Sequence, residues 1–119
     1  MNVTKKSIEQ YTLSGKTKDG YDTWGKIALD CTESAVFVQI SSDFGSWSCW
    51  WNATGGDPKK FLMKISKQYT LQSFSSDKAY ILDEKETLNP QMVAFWDNIW
   101  LPFIEELKRE IKEEKLGGI

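Results

Sequence analysis

Residues 43–58, DFGSWSCWWNATGGDP, decide the fold, because the sequence changes there from the pattern of a strand to that of a helix. In SWSCWWN, Trp47, Cys49 and Trp51 fall on one face and Trp50 falls on the other. A period of two is typical of a β-strand with one buried face. We therefore predict that Trp47 and Trp51 lie in the core, whereas Trp50 faces away from it.

Three segments upstream alternate in the same way and predict further strands. They are SIEQYTLSG, TWGKIALDCT and ESAVFVQIS. Asp19-Gly20, between the first two, is a favoured pair for a hairpin turn. Because consecutive strands joined by short turns form a meander, we predict an antiparallel β-meander of three to four strands at about residues 7–52.

The chain after residue 56 has the patterns of helices. Asp57-Pro58 and Asn89-Pro90 each combine an N-cap residue with proline at the first helical position. Pro102 lacks a backbone N–H and crowds the preceding turn, so it predicts a kink in the second helix. We expect helices at about residues 57–74 and 90–115, and a short strand at Ala79 to Leu82.

These elements predict the α+β class. The expected architecture is one domain, residues 1–119, in which helices pack on one face of the meander and the C-terminal helix is long and kinked. A chain of 119 residues is long enough for a single core. Aromatic residues make up 13% of it, and each buries a large apolar area.

Charge and composition argue against several partners and compartments. The net charge of −2 provides no basic surface, so we expect no direct nucleic acid binding. The first residues, MNVTKKSIEQ, lack the apolar segment of a signal peptide, and no apolar run approaches the length of a membrane span. We therefore expect a cytoplasmic protein, with no membrane contact and with Cys31 and Cys49 as free thiols. A bridge between these two cysteines stays open as an alternative if their strands pair.

The residue types argue against catalysis. The chain contains no histidine, which removes Ser-His-Asp and Cys-His nucleophile systems and every zinc site that uses histidine. Two cysteines cannot build a four-cysteine site, and ATGGDPKK does not have the spacing of a phosphate-binding loop. We predict that the protein is not an enzyme and that it has no catalytic residues, no cofactor and no metal site.

The aromatic and aliphatic residues beyond those that a core needs predict a protein-binding surface. Trp50 and Phe37 fall on the face of the sheet opposite the helices, and exposed aromatic residues of this kind are typical interface anchors. Apolar residues also cover a wide arc of the C-terminal helix, more than one buried face requires. The predicted protein-binding residues are Trp50, Phe37, Phe44, Val93, Phe95 and Ile104.

Gly25 to Phe74 resembles a group of small proteins encoded by bacteriophages and prophages. The resemblance lies in IALDCT, SSDFGSWSCWWNATGGD and KKFLMKISKQYTLQSF, and FWDNIWLPFIEEL near the C-terminus also resembles phage accessory proteins. The resemblance implies a phage setting more than a mechanism. Together with the surplus aromatic residues and the missing catalytic groups, it leads to the hypothesis of a phage protein that works by binding a host bacterial protein or protein complex. The sharpest hypothesis is an inhibitor of a bacterial defence system, such as an anti-CRISPR protein.

Two alternatives remain open at this point. One is a phage accessory or structural protein that forms a homodimer through its C-terminal helix. The other is a small ligand-binding module that uses Trp50 and a neighbouring pocket.

Overall fold

The computed structural model describes residues 1–74 and 89–117, with side chains to residue 114. The strands are β1 (Glu9–Lys16), β2 (Asp22–Cys31), β3 (Val36–Ser42) and β4 (Gly45–Trp51). The helices are α1 (Pro58–Lys64), α2 (Lys67–Phe74), α3 (Pro90–Phe95) and α4 (Leu101–Gly117), and a π-helical turn (Trp96–Trp100) joins the last two. The strand predicted at Ala79 to Leu82 lies outside the described residues.

The four strands form one antiparallel sheet in the order β1-β2-β3-β4, which confirms the predicted meander. At the first turn, the N–H of Gly20 donates to the carbonyl of Thr17 over 2.9 Å. Gly20 has φ of 87°, a left-handed conformation that glycine adopts without strain. The short turn therefore forms where Asp19-Gly20 predicted it.

The core lies between the helices and one face of the sheet, which we call the inner face. The strand registers place Ile27, Ile40 and Trp47 in one row across the inner face. Trp51 is 7% exposed, and its ring meets those of Phe61 and Phe74 edge to face. The buried apolar residues are Ile27, Leu29, Val36, Val38, Ile40, Trp51, Leu62, Leu71, Phe74, Met92, Phe95, Ile99, Trp100, Phe103, Ile104 and Leu107. This arrangement confirms the α+β fold class.

Both helix starts have the predicted caps. The Asp57 carboxylate accepts a hydrogen bond from the N–H of Lys59 over 2.9 Å, and the Asn89 side chain accepts one from the N–H of Gln91 over 2.8 Å. Pro58 and Pro90 occupy the first turns, where a missing N–H leaves no hydrogen bond unmade. Local sequence therefore fixes where α1 and α3 begin.

A π-helical turn lies directly before Pro102, where the sequence predicted a distortion. The N–H of Leu101 donates to the carbonyl of Trp96, five residues back instead of four. Such a turn inserts one extra residue and rotates the helix that follows. Ile99, in this turn, approaches the backbone of β2 at Gly25 so closely that a Cβ built on Gly25 would lie 2.9 Å from its Cγ2. The absence of a side chain at residue 25 therefore allows the helix to approach the sheet.

Candidate protein-binding surface

The face of the sheet turned away from the helices, which we call the open face, is not covered by any other element among residues 1–74 and 89–117. Along each strand its residues alternate with those of the inner face. Trp50 is 66% exposed on the open face, while its neighbour Trp51 is 7% exposed. The prediction that Trp50 faces away from the core is therefore confirmed.

Phe37 lies beside Trp50, because the two residues are directly opposite each other on β3 and β4. Their ring centroids are 6.0 Å apart and the rings are tilted by 52°. A cavity of about 200 Å³ adjoins the rings and is lined by Lys6, Asp30, Thr32, Ala35, Val36, Phe37 and Trp50. We call Phe37, Trp50 and this cavity the Trp50 patch.

An ion pair borders the Trp50 patch. Asp30 is opposite Phe37 in the register of β2 and β3, and the ammonium of Lys6 contacts its Oδ1. That oxygen is buried and accepts no hydrogen bond of normal geometry from the described residues. The patch therefore combines an exposed aromatic centre with one acidic and one basic group at its rim, the layout of many protein interfaces.

The rest of the open face is polar except at its far end. Short polar side chains occupy its middle, among them Ser41, Ser46 and Ser48. At the end of β2 away from the Trp50 patch, Trp24 is 45% exposed. Sequence reasoning missed Trp24 as a surface aromatic residue, although its period-two position relative to Lys26 was a sufficient signal.

The other predicted binding residues do not join the Trp50 patch. Phe44 lies in the β3–β4 turn and packs partly against the core, and its carbonyl accepts a hydrogen bond from the Gln91 side chain. Val93 is half-buried on α3. Phe95 is 0% exposed and Ile104 is 5% exposed, so the expectation that the helix presents them to a partner is wrong.

The π-helical turn explains this correction. If the C-terminal segment were a regular helix, its apolar residues would spread over a wide arc of the surface. The extra residue in the turn rotates α4 relative to α3. Phe95 before the turn and Phe103 and Ile104 after it are consequently all buried in the same core.

A cluster of polar side chains joins three elements of the fold at the edge of the core. The hydroxyl of Tyr11 on β1 donates to Glu110 Oε2 over 2.8 Å and lies 3.2 Å from Glu9 Oε2. The Lys59 ammonium is 3.0 Å from Glu9 Oε2 and 3.6 Å from Glu110 Oε2. Since Lys59 is on α1 and Glu110 on α4, the cluster joins two helices to the first strand.

The electrostatics of this cluster suit a structural role. Burial and the hydrogen bond to Glu110 raise the pKa of Tyr11 well above its ordinary value, so its hydroxyl stays protonated. Burial lowers the pKa of Lys59, but the hydrogen bond and charge of Glu9 outweigh it and raise that pKa overall. Burial also raises the pKa of the free thiols of Cys31 and Cys49. At neutral pH these groups therefore provide no activated nucleophile.

Two further features are absent from the part of the chain that the structure describes. Within it, no group of three or more histidine, cysteine, aspartate or glutamate residues is placed to hold a metal ion. No helix there is both long enough and apolar enough to cross a bilayer.

Residues 1–97 match the sequence model of a phage family, and this match covers well over half of the chain. The chain belongs to that phage family. No curated protein and no solved structure matches it. The resemblance to phage-encoded proteins in the sequence is therefore confirmed at the level of the family.

The part matched by the phage family includes the candidate surface. All four strands, and with them Phe37 and Trp50, lie within residues 1–97, as do α1, α2 and α3. All of α4 lies beyond the match. The sheet and its open face therefore belong to the portion of the chain that the family model describes.

Proposed function

We propose that this phage-family protein acts without catalysis, by binding a host bacterial protein through the Trp50 patch. The observation that carries the proposal is the exposure of Trp50, 66%, on the open face of the sheet, where it lies beside Phe37. The bound host protein is part of a defence system such as CRISPR-Cas, and binding occludes a surface or holds the complex inactive. Membership of a phage family supports this setting.

The Trp50 patch has the physical properties of an interface anchor. Tryptophan is enriched among the residues that contribute most to binding, because burying it removes a large apolar area from water. Trp50 is fixed on a strand and leans on Phe37, so little conformational freedom remains to be lost on binding. The neighbouring cavity could accept an apolar side chain of the partner.

The protein we propose neither catalyses a reaction nor binds nucleic acid. With no histidine in the chain and both thiols disfavoured as thiolates, we propose that it has no enzymatic activity. A net charge of −2 supports a protein partner over nucleic acid. Since the proposed partner is a host defence protein, the proposed place of action is the cytoplasm of the infected bacterium.

A plating assay tests the defence hypothesis. Bacteria that carry a CRISPR-Cas system against a test phage are made to express the wild type, Trp50→Ala or Trp24→Ala. Trp24→Ala is the matched control, since it removes the same side chain from the same face at the other end of the sheet. We expect the wild type and Trp24→Ala to restore plaque formation and Trp50→Ala to fail.

A pull-down from host lysate with the same three proteins identifies the partner. We expect one host protein in stoichiometric amount with the wild type and Trp24→Ala, and its loss with Trp50→Ala. If the wild type recovers no stoichiometric host protein and protects phage from no defence system in a panel, the proposal is wrong.

The observations that suggested the two alternative functions do not hold for the folded chain. The homodimer through the C-terminal helix rested on a surplus of apolar residues there, but Phe95 and Ile104 are used in the core. The small-ligand module rested on a pocket beside Trp50, but that cavity, about 200 Å³, is smaller than typical ligand sites of about 300–1,000 Å³. We therefore do not propose either.

A further inference from the structure

The backbone of β4 has one edge that no strand within the described residues pairs. The N–H of Asp43 donates to the carbonyl of Trp24, which means that odd-numbered residues of β3 direct their backbone groups towards β2. Even-numbered residues of β3 therefore bond to β4, and their partners there have odd numbers. The N–H and C=O groups of Ser46, Ser48 and Trp50 consequently lie in the plane of the sheet and point away from β3, at its outer edge.

The two outer strands differ in the protection of their edges. β1 has a charged residue at each end, Glu9 and Lys16. β4 has none, and the thirteen residues from Phe44 to Gly56 form the longest uncharged stretch of the sequence. Charges and prolines on edge strands normally prevent pairing with other chains. The sequence of β4 is thus permissive for pairing where that of β1 is not.

We propose that β4 pairs antiparallel with β4 of a second copy of this chain, which makes a continuous eight-stranded sheet. In the register centred on Ser48, Ser48 lies opposite Ser48 of the second copy and Ser46 lies opposite Trp50 of the second copy. This register pairs all three outward-pointing residues of each strand, and β4 contains no charged residue that would repel its copy. A second copy is the occupant that this symmetry fits.

Side chains on the open face are compatible with this pairing. Ser46, Ser48 and Trp50 are all exposed there, and each Trp50 ring would lie over a small serine rather than another ring. The two Trp50 residues would be about 14 Å apart on the same side of the joined sheet, given a rise of about 3.4 Å per residue and a strand spacing of about 4.8 Å. The dimer would therefore present two Trp50 patches in one direction. This inference does not depend on what those patches bind.

The test is the molar mass of the purified full chain by light scattering, from low to high micromolar concentration. We expect the mass to rise from 13.7 kDa towards twice that value as concentration increases. Ser48→Lys places two lysines face to face at the symmetry axis, so we expect this variant to stay monomeric throughout. Ser46→Lys, opposite Trp50 of the second copy, should also shift the mass towards the monomer.

Ser14→Lys is the matched control, because Ser14 is an exposed serine on the open face of the other outer strand, β1. We expect it to dimerise as the wild type does, and circular dichroism confirms that each variant is folded. A wild type that is monomeric at every concentration would overturn the proposal. So would a folded Ser48→Lys that still dimerises, or an equal loss of dimer in Ser14→Lys.

Discussion

Gly25→Ala tests the packing of the π-helical turn on the sheet. The new Cβ would lie 2.9 Å from Ile99 Cγ2 and 3.1 Å from Ile99 Cδ1, both closer than atoms in ordinary contact. Ile99 is completely buried, so it has little room to move away. Overpacking of this kind costs about 1–3 kcal/mol. Replacing glycine in a strand returns about 0.5–1 kcal/mol, so we expect a net loss of about 1 kcal/mol in the free energy of unfolding.

Urea denaturation followed by tryptophan fluorescence measures this loss. Gly15→Ala is the control, because a Cβ at Gly15 would meet no atom within 4 Å. We expect it to be as stable as the wild type or slightly more stable. In the double variant Gly25→Ala/Ile99→Ala the clash is absent. Its loss of stability should therefore be about 1 kcal/mol smaller than the sum of the losses in Gly25→Ala and Ile99→Ala. A Gly25→Ala variant as stable as the wild type would refute the proposed close approach of Ile99 to the sheet. So would a double variant whose loss equals the sum of the two single losses.

Two further predictions concern the stability of the fold. Trp51→Ala should cost about 3–5 kcal/mol in a urea titration, because Trp51 is 7% exposed in the core. Trp50→Ala removes an exposed ring and its contact with Phe37, so it should cost about 1 kcal/mol or less. Equal losses would contradict the assignment of these neighbours to opposite faces. The pKa of Tyr11 is raised in the folded state, so its contribution is complete below the unfolded value of about 10 and is lost as pH rises above it. The urea midpoint should therefore fall from about pH 9 to pH 11, and this fall should be smaller in Tyr11→Phe. An identical fall in both proteins would count against the Tyr11 hydroxyl as its source.

Much of the sheet could be predicted from sequence because strand patterns are local. The alternation in SWSCWWN separates Trp50 from Trp47 and Trp51, and the structure places them on opposite faces. The starts of two helices could also be predicted from the sequence, since Asp57-Pro58 and Asn89-Pro90 each combine two independent start signals. These features depend on residues that are close together in the chain.

The features that sequence reasoning missed depend on geometry over longer distances. Pro102 predicted a distortion, but not that a π-helical turn would rotate Ile104 into the core. The hydrogen bond from Tyr11 to Glu110 joins residues that are 99 positions apart, and no local pattern indicates it. The candidate surface was accordingly predicted in part: Phe37 and Trp50 come together, while Phe95 and Ile104 do not reach the surface.

The most direct test of the proposed function is the dissociation constant of the host partner identified by pull-down, measured by calorimetry with the wild type, Trp50→Ala and Trp24→Ala. An interface anchor contributes about 2 kcal/mol or more, so we expect Trp50→Ala to weaken binding by about 30-fold or more. Trp24→Ala, at the far end of the open face, should bind as the wild type does. Unchanged affinity of Trp50→Ala, or an equal loss in both variants, would contradict binding through the Trp50 patch.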